Sequence, residues 1–297
     1  MSRQLKAELA AQLSQQSEWC GTLGSRLYAQ LLADASRDAA GGGVVWGALG
    51  GHMPAPLMEV MLPLRFMAAM HSLVLSERAP ALAAFYPSAG GAERPDGAWD
   101  PFRDALEEHL DEIRGLSALP VQTNEVGRCA ALIGGFLRVA AATRLPLRLL
   151  EVGAAGGLNL CWDHYRYEAA RGVWGPEDSP VHLGWDEAPS HLDAPTEIVE
   201  RAGCDPQPMN SRDKADQMRL LSAVWPDQLD RIERLRGALA VAASVPVTIE
   251  RASIRLVAAR TRVARSGSRH GGLSLGGAAV PKRGRTGRPD SHPFGRG

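Results

Sequence analysis

Residues 149–160 read LLEVGAAGGLNL: an apolar run closed by an acid, a turn with three glycines, then residues able to start a helix. Extended backwards to Leu145, the run LPLRLLEVG fits a buried strand of a parallel sheet. Ligands bind such sheets at the carboxyl ends of the strands, where the turn into the next helix leaves backbone N–H groups free. The stretch is therefore a ligand cradle or a tight strand-to-helix corner.

Upstream, VQTNEVGRCAALIGGFLRVAAAT (121–143) predicts a helix from Asn124 to Thr143 with Thr123 as its cap. Such a helix is about 30 Å long and runs antiparallel to the strand, so its start lies on the ligand edge. QTNEVGR (122–128) would bring amides, an acid and a guanidinium near the glycine turn, able to clasp a carboxylate or an amine. The plainer reading is a capped helix with Glu125 and Arg128 paired on its surface. Downstream, CWDHYRYEAARGVWG (161–175) predicts a helix that continues from the turn and then breaks. SPVHLGWD (179–186) fits a short strand, and TEIVERAGCDPQPMN (196–210) a strand ending in a turn. Two helices split at Pro226 follow over 213–244, then the strand VPVTIER (245–251). Alternating helices and strands from residue 145 predict a βαβ sheet.

The segment before residue 120 is helical in period. Leu5, Leu9 and Leu13, then Leu23, Leu27 and Leu31, mark two amphipathic helices. A connection rich in glycine and proline (39–56) leads to a long apolar helix with a kink or break at Pro63. His71 on that helix is expected to be partly buried and satisfied by a neighbour. PFRDALEEHLDEIRGLSAL (101–119) returns to helical spacing, with Phe102, Leu106, Leu110 and Ile113 on one face and Glu107, Glu108, Asp111 and Glu112 in solvent.

Composition narrows the partners. The 297 residues are 45% hydrophobic, enough for a large core, and 33 basic residues balance 33 acidic ones, so the whole chain has no electrostatic reason to seek nucleic acid or anionic membranes. Cys20, Cys129, Cys161 and Cys204 are widely spaced, which argues against a zinc ribbon or a disulfide framework and fits the cytoplasm. We find no His-x-x-His or carboxylate cluster for a metal, no hydrolase elbow, no signal peptide, no membrane span and no internal repeat. After Arg251 the sequence turns rich in Arg, Gly, Ser and Pro, with Asp290 its one acid. Disorder is expected there, and nucleic acid would bind only through this basic tail. A frameshift is a second explanation: one choice of codons for His270–Lys282 encodes, in the next frame, a strand-like apolar run and a polar turn. The nucleotide sequence of the gene decides it.

The stretch EVGAAGGLNL resembles the first motif of S-adenosylmethionine-dependent methyltransferases. An acid, Glu151, stands two residues before Gly153, with Gly157 four residues later. The resemblance implies that the glycines admit the cofactor's close approach and that the acid contacts its amino-acid moiety. The pattern usually has glycine where this chain has Ala155, so the turn is fuller. By the same resemblance Asn124 and Glu125 help the amino-acid end, and an acid at the end of the second strand holds the ribose. Asp205 and Asp186 are the candidates, with Asp205 preferred for the proline-bounded turn that follows it. Both lie further from the first glycine than is usual, which implies an inserted hairpin.

SRLYAQLLADAS (25–36), FYPSAGG (85–91), VQTNEVGRCAAL (121–132), LLEVGAAGGLNL, GCDPQPMN (203–210) and AVWPDQ (223–228) together resemble the bacterial family known as domain of unknown function 2332, over roughly residues 20–251. That family is similar in fold to S-adenosylmethionine methyltransferases and implies no particular reaction. Members continue differently after Arg251. The expectation is an α/β protein: a helical N-terminal region (1–120), a truncated Rossmann-like, methyltransferase-like parallel sheet (121–251) and a disordered, possibly frameshifted tail (252–297). The expected function is S-adenosylmethionine-dependent methyl transfer to an unknown acceptor, or a non-catalytic binding or scaffold role that keeps the fold. With about three strands and an uncovered edge, aggregation is expected.

Overall fold

Short connections set the helical packing in the first third of the chain. In the computed structural model, which describes residues 2–53, 61–170, 172–185, 191–252 and, for the backbone, 272–276, helices α1 (Ser2–Thr22) and α2 (Arg26–Gly41) are joined by three residues and pack side by side. Leu9, Leu13, Leu27 and Leu31 are buried between them and their neighbours, whereas Leu23 falls in the connection and is exposed. Gly42 ends α2 in the left-handed conformation, its N–H on the Ala39 carbonyl. The connection expected next contains helix α3 (Val44–Leu49), because Asp38 Oδ2 accepts from Val45 N at 2.8 Å and supplies a cap from the preceding helix. Residues 54–60, part of the long helix expected there, lie outside the described residues. Helix α4 (Leu62–Leu75) carries Pro63 in its first turn, where a missing N–H costs nothing, so Pro63 starts this helix and does not kink it.

Helix α5 (Pro80–Ala83) precedes α6 (Trp99–Glu108) and α7 (Leu110–Ser117). The single helix expected over 101–119 is broken at His109 (φ −113°, ψ 26°), yet Phe102, Leu106 and Ile113 are all fully buried. His71 is buried, with Nδ1 3.1 Å from the Ser222 carbonyl and Nε2 2.8 Å from Ser88 Oγ, a satisfied core histidine. These helices enclose one hydrophobic cluster, from Leu9 to Ile113, against which Trp225 packs; a second runs from Val126 to Val245.

The second cluster surrounds the strands. Helix α8 (Arg128–Thr143) leads into β1 (Leu147–Val152), and β2 (Arg166–Ala169), β3 (Gly172–Trp174), β4 (His182–Gly184) and β5 (Ile198–Asp205) follow. Helices α9 (Lys214–Ser222) and α10 (Leu229–Ser244) precede β6 (Thr248–Arg251), and β7 is Gly272–Gly276. One sheet has the order β6-β5-β1-β7 with all pairs parallel; a smaller one has the order β3-β2-β4. The antiparallel pair β2–β3 is the hairpin that separates β1 from β5. Its aromatic face joins the second cluster: Trp162 lies against Phe136 at 4.7 Å and Trp174 at 5.2 Å, and Tyr167 against Trp185 at 5.2 Å between ring centres.

Two expectations are corrected here. No α-helix follows the glycine turn: Leu158–His164 is a 3-10 segment with a non-helical Cys161, and the chain then enters β2. Side chains 158–162 are buried all round, and Tyr165 and Tyr167 alternate with Arg166 and Glu168, a strand period. The segment after residue 252, expected to be disordered throughout, contributes β7 at 272–276, which pairs with β1 and makes it an interior strand, while 253–271 and 277–297 lie outside the described residues. Among the described residues no helix is long and apolar enough to cross a membrane.

Candidate functional site

The glycine turn stands at the carboxyl end of β1, and its conformation is left-handed at three positions. Gly153 (φ 72°) and Gly157 (φ 73°) meet that demand without a Cβ, whereas Ala155 (φ 47°) holds it against its own side chain, at a cost of roughly 1–2 kcal/mol. Bonds from the rest of the fold hold it there. Asp205, at the end of the neighbouring β5, accepts from Ala155 N at 3.0 Å through Oδ2. Its Oδ1 accepts from Gln122 Nε2 at 2.9 Å and Gln207 N at 2.8 Å. Asn124 Oδ1 accepts from both Gly156 N and Leu158 N at 3.1 Å. Gly153 N and Ala154 N donate to the Cys204 carbonyl, and Gly157 N donates to that of Ala154. Every N–H from Gly153 to Leu158 therefore has a protein acceptor, so the free donors expected of this turn are already engaged.

The start of α8 explains part of this. Thr123 and Asn124 do not begin the helix, which starts at Arg128 after Gly127 with no side-chain cap. The Asn124 acceptor serves the turn, 32 and 34 residues away, because two buried N–H groups there have no other acceptor. Glu125 contacts neither the turn nor Arg128 by ion pair. Its Oε1 accepts from Gly127 N at 3.0 Å and its Oε2 pairs with Arg231 of α10.

Glu151 is the exception among these bonded acceptors. It is 5% exposed; Oε1 accepts from Asn159 Nδ2 at 3.1 Å, and Oε2 is buried without a partner. Burial pushes its carboxyl up to about 7, against the Asn159 bond and the attraction of Arg128 and with the repulsion of Asp205. Gly153, two residues on, has no atom of a described residue within 4 Å of where a Cβ would stand, so among the described residues the turn is open at that corner. The sequence placed Glu151, Gly153, Ala155, Gly157, Asn124 and Asp205 about one turn, and the structure brings these six together; Glu125, just before α8, stands apart and pairs with Arg231 of α10. Asn159 was not foreseen, since the helix expected over it hid its turn towards Glu151. Asp186 lies outside the described residues. Among them, no group of three His, Cys, Asp or Glu could hold a metal.

The two glycines of positive φ should respond differently to a methyl group. At Gly157 a Cβ would lie 2.8 Å from Ile249 Cδ1 and 2.9 Å from Val247 Cγ1, and the stiff valine cannot swing away. We expect Gly157→Ala to cost about 2–3 kcal/mol in urea unfolding and Gly153→Ala, with backbone strain alone, about 1 kcal/mol. Equal costs would contradict the packing of the turn on β6.

Fold and site together define a mixed α/β protein with a braced glycine turn at the carboxyl edge of a parallel sheet. The chain belongs to the bacterial family described as "Uncharacterized protein conserved in bacteria (DUF2332)", which matches residues 10–268. The match runs past Arg251, so the departure expected at that residue is not where the family likeness ends. No curated protein and no solved structure matches the chain.

Proposed function

We propose that the carboxyl edge of β1 binds the amino-acid end of S-adenosylmethionine and that the chain transfers its methyl group to an acceptor. The unpartnered Oε2 of Glu151 carries this reading: a buried carboxylate oxygen beside an open glycine corner lacks a donor, and an ammonium group supplies one. The strand order adds support. Numbered by their order along the chain, β6-β5-β1-β7 is third, second, first, fourth, the order of the first four strands in the doubly wound dinucleotide folds. Such folds bind ligands where the order reverses, here between β1 and β7.

Glu151 and Gly153 fit the cofactor; Asp205 fits it less well. A carboxylate offers about four acceptor positions, and Asp205 has given three to Ala155, Gln207 and Gln122, leaving one on Oδ2, too few to grip both ribose hydroxyls. Asp205, Asn124 and Glu125 then act as braces: the first two fix the turn and the third ties the start of α8 to α10. Bound S-adenosylmethionine supplies an electrophilic methyl group, and this chain's part is to hold the donor in line with the acceptor.

The filled turn favours a second reading, a non-catalytic binding or scaffold protein whose glycine corner is structural. Calorimetric titration of S-adenosylmethionine at pH 7.5 separates the two. Under the first, binding is saturable, weakens at least tenfold in Glu151→Gln and is lost in Gly153→Arg, whose side chain fills the open corner. Absence of binding by a folded wild-type chain would overturn the first and argue for the second.

A further inference from the structure

A charged side chain inside an apolar helix needs a partner, and Arg65 on α4 has none among the described residues. LPLRFMAAM (62–70) is apolar but for this residue, which is 5% exposed. Among the described residues no acid pairs with it, and its Nε is buried without an acceptor. Unpaired buried cations are rare because desolvation costs several kcal/mol.

Arg65 lines a cavity of about 50 Å³ between α4, the end of α7, the 120–122 segment and α9. Arg219 of α9 lines it too, one nitrogen 3.3 Å from Asp216, and so does Gln122. Among the described residues no acidic side chain lines the cavity. Gln122 Nε2 is spent on Asp205 and the Gln207 carbonyl, which fixes the amide's orientation and leaves Oε1 buried and without a donor. Arg65, Arg219 and Gln122, whose Oε1 lacks a donor, thus line one space with room for about three or four water molecules.

We propose that this cavity binds a small oxyanion that also carries a hydroxyl, a hydrogen phosphate or a 2-hydroxycarboxylate group. The anion accepts from the Arg65 Nε–H and from Arg219, and its O–H donates to Gln122 Oε1, which satisfies each unpaired group at once. Because the same Gln122 holds Asp205, occupancy bears on the brace of the glycine turn. The inference is independent of the cofactor reading: it concerns the helical side of Gln122 and needs no ligand at Glu151.

Thermal shift and calorimetry with the full chain at constant ionic strength test it, using inorganic phosphate, glycolate and acetate. Phosphate or glycolate should bind saturably, each sharing the oxyanion and hydroxyl, and the stronger of the two identifies the source. Acetate, without a donor for Gln122, should bind at least tenfold more weakly than glycolate. Arg65→Met should lower the affinity at least tenfold while leaving the anion-free Tm equal or higher, since it removes an unpaired buried charge. Arg219→Gln, at a partly exposed position, should weaken binding about threefold or more with Tm unchanged. Overturning results are no saturable binding of phosphate or glycolate, or an anion response that both variants retain. A lower Tm in Arg65→Met with the response intact would also overturn it, making Arg65 a packing residue.

Discussion

Asp205→Ala is expected to lower the folding free energy by about 3–5 kcal/mol, seen as a shifted urea midpoint at unchanged slope. The substitution removes the acceptor of three donors, the Ala155 and Gln207 N–H groups and Gln122 Nε2, at a carboxylate that is 6% exposed. Hydrogen bonds to a charged group contribute about 1.5–3 kcal/mol each, and a buried N–H left without an acceptor adds about 1–3 kcal/mol. Ala155 then loses the bond that holds it at positive φ. Asp205→Asn keeps one acceptor oxygen but turns an NH₂ towards a donor, so an intermediate loss of about 2 kcal/mol is expected. Asn124→Ala strips Gly156 N and Leu158 N of their shared acceptor and should cost about 2–3 kcal/mol. Both side chains hold one turn, so the double variant should depart from additivity by more than 0.5 kcal/mol, in the range found for residues that share a network. A loss below 1 kcal/mol for Asp205→Ala would mean that the turn keeps its shape on its own glycines, and the brace would have no energetic content.

The strands β1, β5 and β6 and the pair α9–α10 were legible because their signals are local: short apolar runs ended by turn residues, and a helical period cut at Pro226. What escaped the sequence depends on distant partners. Thr123 and Asn124 carry the residue types of a helix cap, but the amide serves Gly156 and Leu158, a tertiary demand that no window of the sequence contains. Ala155 warned that the turn was fuller than a cofactor cradle, and the structure gives the consequence, a left-handed alanine tied to Asp205. The break at His109 was invisible because three-and-four spacing continues across it, so Phe102, Leu106 and Ile113 stay buried in either geometry. Arg65 did leave a signal, a single charge in nine otherwise apolar positions, and an unpaired charge of that kind points to what a pattern of apolar residues cannot.

Two buried groups with displaced protonation should oppose each other as pH changes, and removing either should uncover the other. Burial lowers His71 from 6.5 to about 4, so between these values the unfolded chain binds a proton that the folded chain refuses, and stability falls as pH drops through that window. Burial raises Glu151 from 4.5 to about 7; there the folded chain keeps a proton that the unfolded chain has released, and stability falls as pH rises. The two slopes have opposite signs and cancel between pH 4.5 and 6.5. Relative to wild type, His71→Gln should gain about 3 kcal/mol as pH falls from 6.5 to 4, and Glu151→Gln about 3 kcal/mol as pH rises from 4.5 to 7. Urea midpoints at four pH values, taken as differences from wild type, check both; flat differences would show that neither group is shifted. The second result also bears on function. A carboxylate whose charged form destabilises the chain near neutral pH, with one oxygen unpartnered, is better explained by a ligand it awaits than by the fold it burdens. The gain from Glu151→Gln should therefore come with at least tenfold weaker binding of the proposed cofactor, and a variant that gained stability and bound with wild-type affinity would remove Glu151 from the site.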